Sequence, residues 1–366
     1  ITDSNGCTIT ANYEVTEPGE FLISEVEESH VDVLCFGDST GELEVEITGG
    51  ATPFDYLLSG DTQIDEVINT SSTSYDYSGL PEGQYTITAT DANGIQVVQQ
   101  IIILQPEAPI AISLSPSVYG DYNISCFGAG DGSIDVAVTG GGGPENDPTY
   151  SYSWKFNGVD LTLNSSSIDT SLQDLGPGNY EITVTDEEGC VAIASITITE
   201  PTALTLSGVV SDYNGFGVTA SGASDGEINI TVGGGTDAYT FAWSTNDGVV
   251  PTGQASSEDL TQLVAGTYTV LITDSNGCTI TANYEVTEPA QLLINEVPES
   301  HVDVLCFGDN TGELEAEITG GVTPYTFELN NSLNTLITEF GPTASLNFFY
   351  SGLIEDNYTV IVTDAN

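Results

Sequence analysis

The sequence has almost no basic residues. Its 366 residues include a single Lys or Arg, Lys155, against 55 Asp and Glu, which gives a formal net charge of −54. Nucleic acids and anionic lipid surfaces are bound through Lys and Arg, so we expect this chain to bind neither. The sequence also lacks an apolar run of the roughly 18 residues that a membrane-spanning helix needs. We therefore predict no direct insertion into a membrane.

Residue patterns typical of catalysis are also missing. The sequence contains no G-x-S-x-G, no H-E-x-x-H and no phosphate-cradling glycine loop. Neighbouring carboxylates are common, but they alternate with apolar residues along predicted strands and are interpreted as a solvated face. Glycoside hydrolysis would need two carboxylates facing each other across a cleft. We predict that the protein is not an enzyme.

The sequence does contain repeats at two scales. The stretch ITDSNGCTITANYEVTEP at 1–18 returns unchanged at 272–289, an offset of 271 residues. Inside this long period lies a shorter one of about 90 residues, recognised by a Thr-Asp turn in each copy and a Glu-Pro or Gln-Pro boundary between copies. Three short units therefore make one long unit.

The boundary prolines, which end strands and stiffen linkers, divide the chain into modules. We predict the closing hairpin of a preceding module at 1–18, then module A (19–106), module B (107–201), module C (202–289) and a truncated module D (290–366). The chain is expected to be an internal piece of a longer protein.

Within a module the apolar residues recur with a period of two. In GELEVEITGG, residues 41–50, Leu43, Val45 and Ile47 alternate with glutamates, which predicts a strand with one buried and one acidic face. An aromatic strand follows, and later a Gly-x-Tyr strand leads through an Asn-Gly turn into a closing strand. We predict an all-β fold: tandem immunoglobulin-like antiparallel β-sandwich modules that form an extended rod.

The recurring pattern is Cys-Phe-Gly, a strand ending in Thr-Gly-Gly, an aromatic strand, and a final Gly-x-Tyr strand with Thr-Asp-x-Asn-Gly-Cys. It resembles the SprB-type repeat of Bacteroidetes gliding-motility surface adhesins, and the resemblance runs through every module. It implies giant filaments on the bacterial cell surface that are exported by type IX secretion, carried by the gliding motor and attached to surfaces. Two positions depart from it: Gly-Phe-Gly stands at 215–217, and Ile95 replaces a cysteine.

Six cysteines occupy two positions of the module. The early position holds Cys35, Cys126 and Cys306, and the late position holds Cys7, Cys190 and Cys278. We assign Gly215 as the early position of module C and Ile95 as the late position of module A. Pairing within a module leaves two cysteines without partners, and so does pairing a late cysteine with the early one of the next module.

The remaining scheme pairs an early cysteine with the late cysteine of the next module. It predicts the disulfides Cys35–Cys190 and Cys126–Cys278, with Cys7 and Cys306 pairing outside this chain. In a seven-stranded sandwich the first loop and the last hairpin lie at opposite ends, which favours the same scheme. Buried free thiols are the alternative. A zinc site is disfavoured, because CxxC spacing is missing and the two histidines are one position in two copies.

Calcium is the one ligand that the sequence suggests. Oxygen-rich loops recur at four aspartates, which are Asp38, Asp131, Asp225 and Asp309. The alternative is that these and the later Asp-x-Asn-Gly segments are turns that need no metal.

The leading functional hypothesis is a structural and adhesive shaft whose partners are neighbouring modules of the same chain and external surfaces or polysaccharide; lateral self-association stays open. One alternative is a carbohydrate-binding array that uses Trp154 and Trp243, although their alternation within strands favours core packing. The other alternative is a passive spacer that presents a distal functional domain.

Overall fold

The computed structural model describes residues 1–17, 19–60, 63–142, 149–161 and 171–366. These residues form 26 β-strands and two short 3-10 helices, Glu27–Ser29 and Pro298–Ser300. Among them, no helix is long and apolar enough to span a membrane.

The chain divides into two compact units. The first unit comprises residues 1–117 and 132–198, and the second comprises residues 118–131 and 199–366. Module A and the sheets of module B therefore belong to the first unit. The second unit contains the loop 118–131 of module B together with modules C and D.

Module A is a sandwich of two antiparallel sheets. Its strands are β1 (Leu22–Glu25), β2 (Gly41–Thr48), β3 (Phe54–Ser59), β4 (Gln63–Thr70), β5 (Ser74–Leu80), β6 (Gly83–Thr90) and β7 (Gln96–Ile103). One sheet has the order β1-β2-β5 and the other the order β4-β3-β6-β7. This is the two-layer arrangement of immunoglobulin-like domains.

Modules B, C and D repeat this plan. Module B contains β8 (Ala111–Pro116), β9 (Gly132–Thr139), β10 (Tyr150–Phe156), β11 (Val159–Asp160), β12 (Ser171–Leu175), β13 (Gly178–Asp186) and β14 (Val191–Ile198). Module C contains β15 (Thr205–Val210), β16 (Gly226–Gly233), β17 (Thr240–Thr245), β18 (Leu260–Leu263), β19 (Gly266–Thr273) and β20 (Thr279–Val286). Module D contains β21 (Leu293–Glu296), β22 (Gly312–Thr319), β23 (Tyr325–Asn330), β24 (Leu336–Thr343), β25 (Asn347–Leu353) and β26 (Thr359–Thr363).

The sheets of these three modules follow the order seen in module A. The first sheets are β12-β9-β8, β15-β16-β18 and β21-β22-β25. The second sheets are β11-β10-β13-β14, β17-β19-β20 and β24-β23-β26. The predicted all-β, immunoglobulin-like sandwich is therefore confirmed in every module.

The core forms where the period of two places apolar side chains on the inner face. In β2, Leu43, Val45 and Ile47 are buried, whereas Glu42 and Glu46 are exposed. Burying a side chain of this size stabilises the fold by about 1.5–3 kcal/mol. The alternation therefore holds the two sheets together and keeps the acidic residues in water.

A Gly-Gly pair ends the second strand of each module because the backbone turns there with no room for a side chain. In module C, Gly234 and Gly235 have φ angles of +73° and +65°. A Cβ at Gly234 would overlap the carbonyl oxygen of Ala203, and one at Gly235 would lie 2.6 Å from Oδ2 of Asp274. The turn thus brings the backbone against the carboxylate of Asp274.

The Gly-x-Tyr motif forms a tyrosine corner, in which the hydroxyl bonds to the backbone a few residues upstream. Tyr268 donates to the carbonyl oxygen of Val264 at 2.9 Å, and Tyr180 donates to that of Gly176 at 3.0 Å. Tyr85 and Tyr358 make the same bond four residues back. Burial raises the pKa of Tyr268, so its hydroxyl keeps its proton as a donor.

Replacement of Tyr268 by Phe is expected to lower the free energy of unfolding of module C by about 1–2 kcal/mol, because the Val264 carbonyl loses its donor. Urea denaturation followed by the fluorescence of Trp243, in a Trp154→Phe background, measures this change. Tyr13→Phe is the control, since Tyr13 is 88% exposed. Equal midpoints for the two variants would contradict a role for the corner.

Residues 1–17 differ in structure from the identical sequence that begins at residue 272. They form a single bridge, between Thr2 and Thr8, and their side chains are exposed. The identical sequence at 272–289 includes β20, which pairs along its length with β19. Among the described residues, 1–17 have no such neighbouring strand beside them. The described residues contain the turn of the closing hairpin predicted at 1–18, and the hairpin itself stays a prediction.

Candidate functional site: the joint between neighbouring modules

The cysteines lie in two segments that the fold brings together. The early loop, which joins the first and second strands of a module, carries the early cysteine. The late hairpin, the turn between the last two strands, carries the late cysteine. In each unit, the early loop of one module contacts the late hairpin of the module that follows, and we call this contact the joint.

Two disulfides cross the joints. Cys35 of module A is bonded to Cys190 of module B, with 5.6 Å between their Cα atoms. Cys126 of module B is bonded to Cys278 of module C, with 5.7 Å between their Cα atoms. These are the pairs that the sequence predicts. Cys7 and Cys306 are free and exposed, and partners for them outside this chain stay a prediction.

In the early loop of module C, the residue at the early cysteine position is not the one that the sequence predicts. The backbone N–H of Ala223 donates to the carbonyl oxygen of Ala220, as Ala129 donates to Cys126 and Asp38 to Cys35. Ala220 therefore takes the early cysteine position. The assignment of that position to Gly215 is wrong by five residues, because Gly215 belongs to a turn between Tyr213 and Phe216. Module C still has no cysteine at its early position.

The four aspartates proposed for calcium occupy two different positions. Asp131 and Asp225 accept hydrogen bonds from the hydroxyls of Ser125 and Thr219, each at 2.6 Å. These bonds hold the pKa of both carboxyls below the usual range. In modules A and D the equivalent acceptors are hydroxyls, Thr40 Oγ1 and Thr311 Oγ1, which accept from the N–H groups of Leu34 and Leu305.

Asp38 and Asp309 instead align with Ala129 and Ala223, since each donates its backbone N–H to the residue at the early cysteine position. The four aspartates therefore belong to two different loop positions. Across the described ranges, no group of three or more His, Cys, Asp or Glu side chains could hold a metal ion. Calcium binding stays an untested prediction.

A buried aspartate positions the late cysteine. Oδ1 of Asp274 accepts the backbone N–H groups of Asn276 at 3.0 Å and Cys278 at 2.9 Å. Its Oδ2 accepts the N–H of Thr236 at 2.9 Å, beyond the Gly-Gly turn. Asp274 is 5% exposed. One carboxylate therefore ties the hairpin, the cysteine and the end of the second strand together.

The other modules use their own copy of this aspartate. Asp91 and Asp186 make the same three kinds of bond, and Asp364 accepts from Val322 and Asn366. Burial opposes ionisation of Asp91, but the backbone N–H groups of Ile95 and Ala51 outweigh it, so its pKa is lowered. The sequence alone interprets the segments after Asp91, Asp186 and Asp274 as tight turns. Their presence in every copy was the signal of a structural role.

One segment in each of the four modules matches a known protein family. Residues 28–63, 122–158, 221–248 and 299–334 match the family described as the SprB repeat. The SprB repeat is thus matched at four segments of the chain. Each matched segment covers early-loop residues, the second strand and the third strand of a module. The late hairpins with their buried aspartates lie outside the matched segments.

Several solved structures are similar in fold. Three N-terminal domains of the Highly Immunogenic Outer Capsid protein of bacteriophage RB49 are 17% identical, with 69% of this chain and 91% of that chain covered and a TM-score of 0.37. A tetra-tandem repeat from the extending region of a large adhesion protein is 16% identical, with 95% of this chain and 100% of that chain covered and a TM-score of 0.25. A solved chain of a 1.5-MDa bacterial ice-binding adhesin is 14% identical, with 74% of this chain and 96% of that chain covered and a TM-score of 0.35.

At these identities and TM-scores the likenesses carry no argument about this chain. No curated protein matches the sequence.

The tryptophans of modules B and C lie in the core. Trp154 is 2% exposed and Trp243 is 6% exposed. The indole N–H of Trp243 donates to the carbonyl oxygen of Ser257 at 3.0 Å. Core packing is therefore correct for both, and neither offers a face on which a sugar could stack.

Modules A and D each hold a histidine between two carboxylates. Nδ1 of His30 lies 2.5 Å from Oε1 of Glu25, and its Nε2 lies 3.2 Å from Oδ1 of Asp32. Partial burial lowers the pKa of His30, but the hydrogen bonds to Glu25 and Asp32 outweigh it, so the pKa is raised above 6.5. Asp32 also accepts the backbone N–H of Leu104, which connects this cluster to the end of β7.

A raised histidine pKa predicts that module A loses stability as the pH rises. The contribution of His30 is complete below its unfolded-state pKa of about 6.5 and disappears as the pH passes the folded-state pKa. Calorimetry near pH 6 and pH 8.5 should therefore show a larger decrease in melting temperature for the unmodified chain than for His30→Gln. An equal decrease in both would contradict the prediction. NMR titration should place the pKa of both histidines above 6.5.

Proposed function

We propose that this chain is a segment of the structural and adhesive shaft of a giant bacterial cell-surface filament, a gliding-motility adhesin exported by type IX secretion. The observation that carries the proposal is the pair of disulfides from an early loop to the late hairpin of the next SprB module. A bond placed there transmits tension from module to module through covalent bonds. The role is structural, and no reaction is assigned to it.

The composition supports a location outside the cell. Disulfides persist in oxidising surroundings, and a net charge of −54 makes the modules repel one another and stay soluble. Nucleic acids and membrane insertion have no place in this proposal. The proposed partners are neighbouring modules, external surfaces or polysaccharide, and other filaments at their sides.

Labelled antibody fragments against module C, applied to intact cells that express the parent protein, test the proposal. The expected result is surface labelling without permeabilisation, loss of label after external protease, and labelled spots that travel along gliding cells. Labelling only after permeabilisation would contradict a surface location. Stationary spots on gliding cells would contradict the role in gliding motility, but they would be consistent with a surface filament.

Adhesion is tested separately by deleting one block of 271 residues from the array. Weaker attachment to the substratum is expected if the shaft itself adheres. Undiminished attachment would instead indicate the passive spacer, whose adhesive domain lies elsewhere in the parent protein.

A further inference from the structure

The turn asparagine of module C extends beyond its own module. The side-chain amide nitrogen of Asn276 lies 3.4 Å from the carbonyl oxygen of Tyr119 and 3.2 Å from that of Ser125, both in the early loop of module B. It also donates to Oγ1 of Thr236 at 2.9 Å in its own module. The turn Asp274-Ser275-Asn276 therefore reaches the same loop that carries Cys126.

The next joint has the same arrangement. The amide nitrogen of Asn366 in module D lies 3.2 Å from the carbonyl oxygen of Tyr213 and 3.1 Å from that of Thr219, in the early loop of module C. Its Oδ1 accepts a hydrogen bond from Nδ2 of Asn214 at 2.6 Å. The second asparagine thus binds the same two places of the preceding loop.

Both partners of the amide are backbone carbonyls at equivalent loop positions. Ser125 and Thr219 each donate their hydroxyl to the aspartate six residues later. Tyr119 and Tyr213 each begin an isolated bridge within the loop. Because an Asn amide has two N–H donors, the amide of Asn276 can bond to Thr236 and to one loop carbonyl at a time, whatever side chains the loop carries. An Asp carboxylate at this position could only accept, and the carbonyls would repel it.

The asparagine and the disulfide vary independently along the chain. The joint of modules B and C has Asn276 and the bond Cys126–Cys278. The joint of C and D has Asn366, but Ala220 stands at the early cysteine position. The joint of A and B has the other disulfide, and Glu188 stands at the asparagine position. A joint without a disulfide therefore still has the asparagine contact.

We propose that the asparagine of the Asp-x-Asn turn is a lock for the preceding module: a positioning residue that fixes the late hairpin on the backbone of the early loop, with or without a disulfide. The lock determines how firmly a joint is held when cysteines are missing. The lock consists of contacts within the joint and is independent of the surface or polysaccharide that the filament binds.

Hydrogen–deuterium exchange of the full chain tests the lock. Asn276→Asp should make the amides of the loop 118–131 exchange about tenfold faster, since the loss of the amide's hydrogen bonding to the loop and the added repulsion favour local opening. Asn93→Asp is the matched control: Asn93 has the same place in its turn, but its amide donates to Asp91 within that turn at 3.3 Å. The control should leave the exchange of 118–131 unchanged.

The joint without a disulfide gives a second, independent arm. Asn366→Asp should accelerate exchange in the loop 211–225 at least as much, because no disulfide restrains that loop. Unchanged exchange in both loops would overturn the lock, and so would an equal acceleration of 118–131 in Asn93→Asp.

A measurement without any substitution guards against variants that fail to fold. Asn5 and Asn276 lie in identical sequences, each followed by Gly, so their intrinsic rates of deamidation are the same. Peptide mapping after incubation should show at least tenfold slower deamidation at Asn276, whose amide is held by the early loop, than at the exposed Asn5. Equal rates would overturn the lock.

Discussion

Reduction of the two disulfides should roughly double the length to which this chain can be pulled by force. In the oxidised chain, tension runs from the N-terminus to Cys35, crosses to Cys190, returns along the chain to Cys126 and crosses to Cys278. Only about half of the residues lie on that path. At ~3.5 Å per residue, we expect full extension at about 650 Å when oxidised and about 1,280 Å when reduced.

Single-molecule force spectroscopy with and without a thiol reductant measures this difference. The chain should carry Cys7→Ser and Cys306→Ser, because those exposed thiols would cross-link molecules. Adding Cys35→Ser, which leaves the disulfide Cys126–Cys278, should give an intermediate length. Equal lengths for the oxidised and reduced chains would contradict the covalent path and, with it, the mechanical role.

Replacement of Asp274 by Ala is expected to lower the free energy of unfolding of module C by about 2–4 kcal/mol. Three backbone N–H groups, those of Asn276, Cys278 and Thr236, lose their acceptor in a place that water reaches poorly. Asp274→Asn should cost less, because the amide oxygen can still accept. Urea denaturation followed by Trp243 fluorescence in a Trp154→Phe background measures both variants.

Ser275→Ala is the matched control for this aspartate. Ser275 lies in the same turn with an exposed side chain, and Ala92 already stands at the equivalent position of module A. Its midpoint should equal that of the unmodified module. If Asp274→Ala had the same midpoint as this control, the hydrogen bonds to the Asp274 carboxylate would not contribute to the stability of module C.

The sandwich was predictable because its cause is local. In β2 a period of two separates Leu43, Val45 and Ile47 from the glutamates, and any sheet formed from such a strand buries the apolar set. The disulfide pairs were predictable for another reason. Two of the three pairing schemes leave two cysteines opposite a residue that is not cysteine. The third pairs an early cysteine with the late cysteine of the next module, and a sandwich favours it because the two positions lie at opposite ends of a module.

The loops were predicted less well, because distant residues fix their conformation. The backbone N–H of Gly222 donates to Glu288, 66 residues away, and this bond helps set the register in which Ala220, and not Gly215, takes the cysteine position. The similarity of Gly-Phe-Gly at 215–217 to Cys-Phe-Gly contains no information on this long-range bond. The four aspartates proposed for calcium show the same limit, since they occupy two different loop positions that the sequence alone does not distinguish.

The sequence by itself therefore determined the repeat, the module boundaries that we predict, the β-sandwich class and the acidic outer surface, since each follows from spacing along the chain. Only the tertiary structure decided what holds a joint together. Asp274 acts by binding Thr236, and Asn276 by binding carbonyls about 150 residues earlier, such as that of Ser125. A hydrogen bond needs both partners in place, and only the folded chain brings these partners within reach.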